Sequence, residues 1–186
     1  MLAMCQGRQQ EAVELLKQEL VLDPLRPSEY MNLAQNLRDL GRYDEAHTAL
    51  AKALDLNPNE SMVHEVRGEV YLAQGRPQEA LTEMEKEPES WTRDLGKALA
   101  YHALGREPES EAALAQLISQ HADGGAYQIA EASAYRGEVD QAFDWLNRAY
   151  LQHDPGLQWF KTDLKLKSLR QDPRFHQLLR KLNLPD

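Results

Sequence analysis

Apolar residues recur along most of this chain at steps of three and four, with charged residues between them, and this spacing predicts helices. Val13, Leu15, Leu16 and Leu20 mark a helix from Gln9 to Leu22. Further helices are predicted over Ser28–Leu40, Tyr43–Leu56, Met62–Gln74, Pro77–Glu87, Ser90–Leu104, Pro108–His121, Ala126–Arg136 and Val139–Leu151. Leu2 to Gln6 reads as the end of a preceding helix. Ser28 is a candidate N-cap, and Pro77 stands where its missing N–H costs nothing. Glu87-Pro88 cuts one helix short, and Ala122 to Gly125 is a loop.

The helices come in pairs. Gly7, Gly41, Gly75, Gly105 and Gly137 each open a turn before an acidic, alanine-bearing helix, at intervals of 34, 34, 30 and 32 residues. Ala34, Gly68, Ala98 and Ala130 fall at matching places in successive first helices, opposite Ala46, Ala80, Ser110 and Ala142 in the second. Small residues there permit close approach, and Leu33, Leu37, Leu50, Tyr71, Met84, Tyr101 and Leu114 fill the surrounding space. Pro24 and Pro58 stop second helices. A helix pair repeated at about 34 residues cannot bury both faces alone, so the pairs must stack.

The unit with Tyr30, Leu33, Ala34, Leu37, Gly41, Tyr43, Ala46, Leu50, Ala53 and Pro58 resembles the tetratricopeptide repeat, and the resemblance extends over roughly residues 1–150. It implies an all-α, right-handed superhelical solenoid of antiparallel helix pairs. The expected division is 1–152 for the solenoid, with a partial first repeat and about four more, and 153–186 for a C-terminal capping segment. Asp172-Pro173 starts the capping helix, and Phe175, Leu178, Leu179 and Leu182 form its apolar face. Phe143, Trp145, Leu146 and Tyr150 are expected to pack on that segment.

The run from Gly137 onward, with Ala142, Trp145, Leu146, Ala149, Tyr150, Asp154-Pro155, Leu169, Asp172-Pro173-Arg174-Phe175 and Leu178-Leu179, is similar to the end of a bacterial group of repeat proteins. Lys97 to Leu114 is similar to it as well. In that group the repeats follow a cyclase, winged-helix or kinase signalling domain. None of those domains is present in this sequence, so the resemblance implies a regulatory or assembly module and carries no catalysis.

Composition narrows the function. Net charge is −9 and hydrophobic content 42%. From Leu151 onward seven Lys/Arg stand against four Asp/Glu, leaving an acidic body and a mildly basic end. The basic end comprises Lys161, Lys165, Lys167, Arg170, Arg174, Arg180 and Lys181, read mainly as solvated cations. An acidic body argues against nucleic acid in the groove. No apolar run reaches membrane-spanning length, and MLAMCQG lacks the pattern of a secretion signal. The single Cys5 forms no internal disulfide and fits a reducing compartment. A cytoplasmic location is expected, or a periplasmic one for a part of a larger anchored protein.

The concave surface is expected to show Met31, Gln35, Arg38, Met62, Glu65, Glu69, Leu72, Leu99, His102, Tyr127, Glu131 and Tyr135. This acidic and apolar groove suits a protein or peptide with basic and apolar residues. Asn32 occupies the place of the Asn with which some tetratricopeptide proteins grip a terminal carboxylate. Gln35, Asp39, Val66 and Ala73 replace that clamp's other members, so carboxylate capture is not expected. The six histidines lack ligand spacing, and neither a metal nor a cofactor is expected. Glu83, Glu85, Glu87 and Glu89 read as an exposed charged face. The leading expectation is a non-enzymatic interaction scaffold. The alternative is a regulatory module that self-associates through its N-terminal end.

Overall fold

The computed structural model describes residues 8–184. Among them are ten α-helices, two 3-10 turns and no strand. The helices are α1 (Gln9–Leu22), α2 (Pro27–Asp39), α3 (Tyr43–Leu56), α4 (Val63–Ala73), α5 (Pro77–Met84), α6 (Ser90–Ala103), α7 (Glu107–His121), α8 (Ala126–Tyr135), α9 (Val139–Gln152) and α10 (Pro173–Lys181). Two 3-10 turns, Pro155–Trp159 and Lys167–Leu169, lie between α9 and α10. Gly7, Cys5 and the helix end expected at Leu2 to Gln6 lie outside the described residues.

Each repeat folds the same way for the same local reason. Gly41 ends α2 with φ of 72°, and Gly75, Gly105 and Gly137 adopt the same left-handed conformation at the ends of α4, α6 and α8. That conformation lets the next amide reach back to the helix. Arg42 N donates to Leu37 O at 2.8 Å, Arg76 N to Tyr71 O at 2.9 Å and Arg106 N to Tyr101 O at 2.9 Å. The arginine then pairs with a glutamate three residues on, as in Arg42–Glu45 at 2.7 Å and Arg76–Glu79 at 2.9 Å. Arg76 and Arg106 also cover the rings of Tyr71 and Tyr101.

The pairs α2–α3, α4–α5, α6–α7 and α8–α9 stack in sequence, and α2, α4, α6 and α8 adjoin one another along one side. The small positions do bring the helices together: Ser110 Oγ on α7 donates to Ala98 O on α6 at 2.7 Å. Met84 on α5 lies between Gly68 and Gly96, where a Cβ would come within 2.6 and 2.7 Å of its Cγ. Val13, Leu16 and Leu20 of α1 join Leu33, Leu37 and Leu50 in the first core cluster. Leu15, expected on that face, is instead exposed.

Two local readings are corrected. Ser28 is no cap: α2 begins at Pro27, after an extended Arg26, with no side-chain cap. The proline fits the first helical position, which moves the start one residue earlier. Glu83 and Glu87 are buried and are not part of an exposed face. Glu87 accepts from Met62 N at 2.9 Å and Glu65 N at 3.2 Å, capping α4 from beyond α5. It replaces a local cap that Met62, in a left-handed conformation, does not supply. His64 Nδ1 stands 2.9 Å from Glu83, and that hydrogen bond holds the Glu83 carboxyl down at about 2.

α10 packs on α9. Its Phe175, Leu178 and Leu179 share one core with Phe143, Leu146 and Ala149 of α9 and with Phe160, Leu166 and Leu169 of the connecting segment. The Asp172 carboxylate accepts from Arg174 N at 2.9 Å at the start of α10. Trp145 packs partly into this cluster, while Tyr150 stays largely outside, beneath Lys181.

Candidate functional site

The segment after α9 does not stay at the end of the stack; it turns back across the side formed by α2, α4 and α8. Asp154 starts this path by accepting from Gly156 N at 2.8 Å and from Tyr127 N at 3.1 Å, so one carboxylate caps the first 3-10 turn and holds the start of α8. Gly156 lies flat on the Tyr127 ring, where any Cβ would come within 2.5 Å of it. Trp159 then reaches Ala12 of α1.

Lys165 carries the segment's main polar contact. Its Nζ lies 2.6 Å from Glu69 on α4 and 3.2 Å from Glu131 on α8. Glu69 is also bound by Arg38 of α2, which pairs in turn with Asp39 at 2.8 Å. Tyr127 Oη donates to Asp163 Oδ2 at 3.0 Å, and the other Asp163 oxygen accepts from Lys165 N at 2.8 Å. Lys165, expected among the solvated cations, is instead partly buried and ion-paired. Phe160 and Leu166 beside it enter the core and leave the ammonium facing the groove's carboxylates.

Burial and pairing split the titrations of this cluster. Burial pushes Glu69 and Asp163 up, but Lys165 pulls both below the usual carboxylate range, with Arg38 assisting at Glu69. Burial wins at Glu131, which is raised well above that range despite Lys165. Burial also dominates at Glu65, pushed up to about 8 with the Glu69 charge adding to it. Burial opposes the Lys165 charge, yet Glu131, Glu69 and Asp163 outweigh it, so its pKa is raised.

Between the first helices and the returning segment lies a pocket of about 430 Å³. Eight of the twelve predicted groove residues line it: Met31, Gln35, Arg38, Met62, Glu65, Glu69, Tyr127 and Glu131. Leu72, Leu99, His102 and Tyr135 do not. Leu99 is buried in the core of α6–α8, with Leu72 packed partly against it. His102 lies 2.9 Å from Glu107 and edge-on to Tyr135. The pocket also takes Trp91, Trp159, Asp163 and Lys165, which the sequence pattern does not assign to it. One signal for Lys165 is present in the sequence, the contrast between an acidic body and a basic end. Asn32, also on the pocket wall, donates to Glu29 at 3.2 Å. Among the described residues, no three His, Cys, Asp or Glu side chains converge as metal ligands. No helix among them is long and apolar enough to cross a membrane.

Residues 31–94 match the family model described as "Tetratricopeptide repeat". That stretch is about a third of the chain, and the helix pairs on either side of it stack in the same manner. The chain's fold is shared by a thermophilic tetratricopeptide-repeat protein of Thermus thermophilus, at 23% identity and TM-score 0.64, covering 94% of this chain and 92% of that one. It is shared also by PilW, a type IV pilus biogenesis factor, at 16% identity and TM-score 0.58, covering 100% and 91%. YrrB, described as having an unusual peptide-binding site, aligns at 15% identity and TM-score 0.51, covering 91% and 99%. Comparison with curated proteins returns no match.

Proposed function

We propose that this chain is a non-enzymatic protein-interaction scaffold that receives a partner segment in the pocket on its concave side. In this reading the helix pairs up to residue 152 form the groove, and residues 153–186 close part of it. The observation that carries the reading is the pocket itself. It combines apolar walls from Met31, Met62, Trp91 and Trp159 with carboxylates on α4 and α8. Such a lining suits a peptide bearing both apolar and basic side chains. Tetratricopeptide stacks are interaction folds, and the YrrB likeness agrees with that general use without specifying a ligand.

The test starts with affinity capture, followed by calorimetry on a purified candidate segment. Gln35→Trp, which fills the pocket from a residue that is itself in no ion pair, is expected to weaken binding by at least tenfold. Tyr150→Ala, on the far side, is expected to leave it unchanged. Equal binding by wild type and Gln35→Trp would remove the pocket from the reading.

A second reading, a regulatory module acting by self-association, rests on Val21, Leu22 and Leu25, which are 82%, 86% and 73% exposed at the end of α1 and after it. Sedimentation of wild type against Val21→Ser/Leu22→Ser tests it. A wild type that stays monomeric at high concentration overturns it.

A further inference from the structure

Glu65 differs from every other acid of the groove. It is 3% exposed and lines the pocket, and its backbone N–H is fixed by Glu87. Yet its carboxylate has no hydrogen bond and no ion-pair partner among the described residues. The neighbouring acids are all engaged: Asp39 by Arg38, Glu69 by Arg38 and Lys165, Glu131 by Lys165, and Asp163 by Tyr127. Five carboxyl groups thus face two cations, and the one left over is Glu65. An acid held in a desolvated pocket wall without an ion pair is disfavoured as the carboxylate unless it stays protonated or meets a cation.

We propose that the pocket is a receptor for the ammonium group of one lysine side chain of a partner, with Glu65 as its counter-ion. This rests on the scaffold reading above and names the side chain the pocket takes. Three features favour an organic ammonium. The walls of the same pocket include Met31, Met62, Trp91 and Trp159, which suit a hydrocarbon stem and a cation over an aromatic face. The same wall already holds one ammonium, that of Lys165, against Glu69 and Glu131. The carboxylates also do not converge in the way a metal ion requires.

Binding of the ammonium releases the Glu65 proton, because only the ionised carboxylate pairs with it. The Glu65 carboxyl is pushed up to about 8 by burial and by Glu69 and Glu87, against the opposing pull of Lys165 and Arg38. The other charged groups around the pocket are Asp39 on α2, Glu131 on α8 and Asp163. Affinity therefore rises with pH below about 8 and levels off above it.

The experiment uses the full chain with n-butylammonium as the probe and n-butanol as its neutral counterpart, following tryptophan indole N–H signals by NMR. The expected result is saturable shifts of Trp91 and Trp159 with the ammonium and not with the alcohol, while Trp145, outside the pocket, is unmoved. Affinity should rise by close to tenfold between pH 6.5 and 7.5. Glu65→Gln keeps the shape and removes the charge; it should weaken binding at least tenfold at pH 8.5 and abolish the pH slope. Equal shifts with ammonium and alcohol, or unchanged binding and slope in Glu65→Gln, overturn the subsite. If they occur while Gln35→Trp still blocks a protein partner, the scaffold reading survives and only the subsite falls. Ammonium binding in a chain that captures no partner leaves the cation pocket standing but overturns the scaffold reading and, with it, the assignment of the cation to a partner's lysine.

Discussion

Replacing Lys165 by methionine removes a cation that joins α4 to α8 and leaves a stem of similar length. The Lys165 side chain is 18% exposed, with carboxylate contacts at 2.6 and 3.2 Å. Removing one member of a buried pair typically costs about 3–5 kcal/mol. Two features reduce the cost here: Arg38 still holds Glu69, and Glu131 can keep a proton. The expected loss at pH 7.5 is therefore about 2–4 kcal/mol. The pH dependence follows from the signs. Glu69 and Asp163 are depressed by Lys165, so their contribution is present above the unfolded carboxylate range and lost as pH falls. Lys165 itself is raised, so its contribution is present below the ordinary lysine range and lost only in strong alkali. The penalty should thus be full at pH 7.5 and much smaller only near pH 2, below the depressed folded-state carboxyls. Urea unfolding of both proteins at the two pH values measures it. A loss below about 1 kcal/mol, or one equal at both pH values, would refute the claim that Lys165 neutralises the groove.

Three further perturbations follow. Glu87→Ala strips two amides at the start of α4 of their acceptor and should cost about 2–3 kcal/mol in urea unfolding, with Glu87→Gln intermediate. Gly68→Ala drives a Cβ to within 2.6 Å of Met84 Cγ and should cost about 1–3 kcal/mol, with a double-mutant cycle against Met84→Ala showing clear non-additivity. Glu65→Gln should match wild type in stability near pH 3.5 and exceed it by about 4 kcal/mol at pH 8. The reason is that folded Glu65 holds its proton up to about 8, so the wild type loses stability as pH rises through the window in which the unfolded chain has already released it.

Sequence and structure agree where local geometry decides. The glycines at matching places adopt one left-handed turn, the small residues meet across each pair, and Asp172-Pro173 opens the last helix as expected. Agreement fails where partners are distant in sequence. Glu87 caps a helix 22 residues earlier, while its neighbours Glu85 and Glu89 make it resemble an exposed face. The inward path of the closing segment depends on two 3-10 turns with no apolar period to announce them. Helical register places Met31, Glu65 and Glu69 on the pocket wall, but it cannot separate Leu99 from the adjoining core side of α6.

Lys165 and Glu69 stand 96 residues apart in the chain. An open stack of helix pairs behaves like a spring, free to stretch, twist or fray from either end. A tie across its inner side makes it behave like a strung bow, in which pitch and curvature cannot change without stressing the string. Lys165 is translated after both helix pairs it ties, so this cross-link can form only once those repeats have been made.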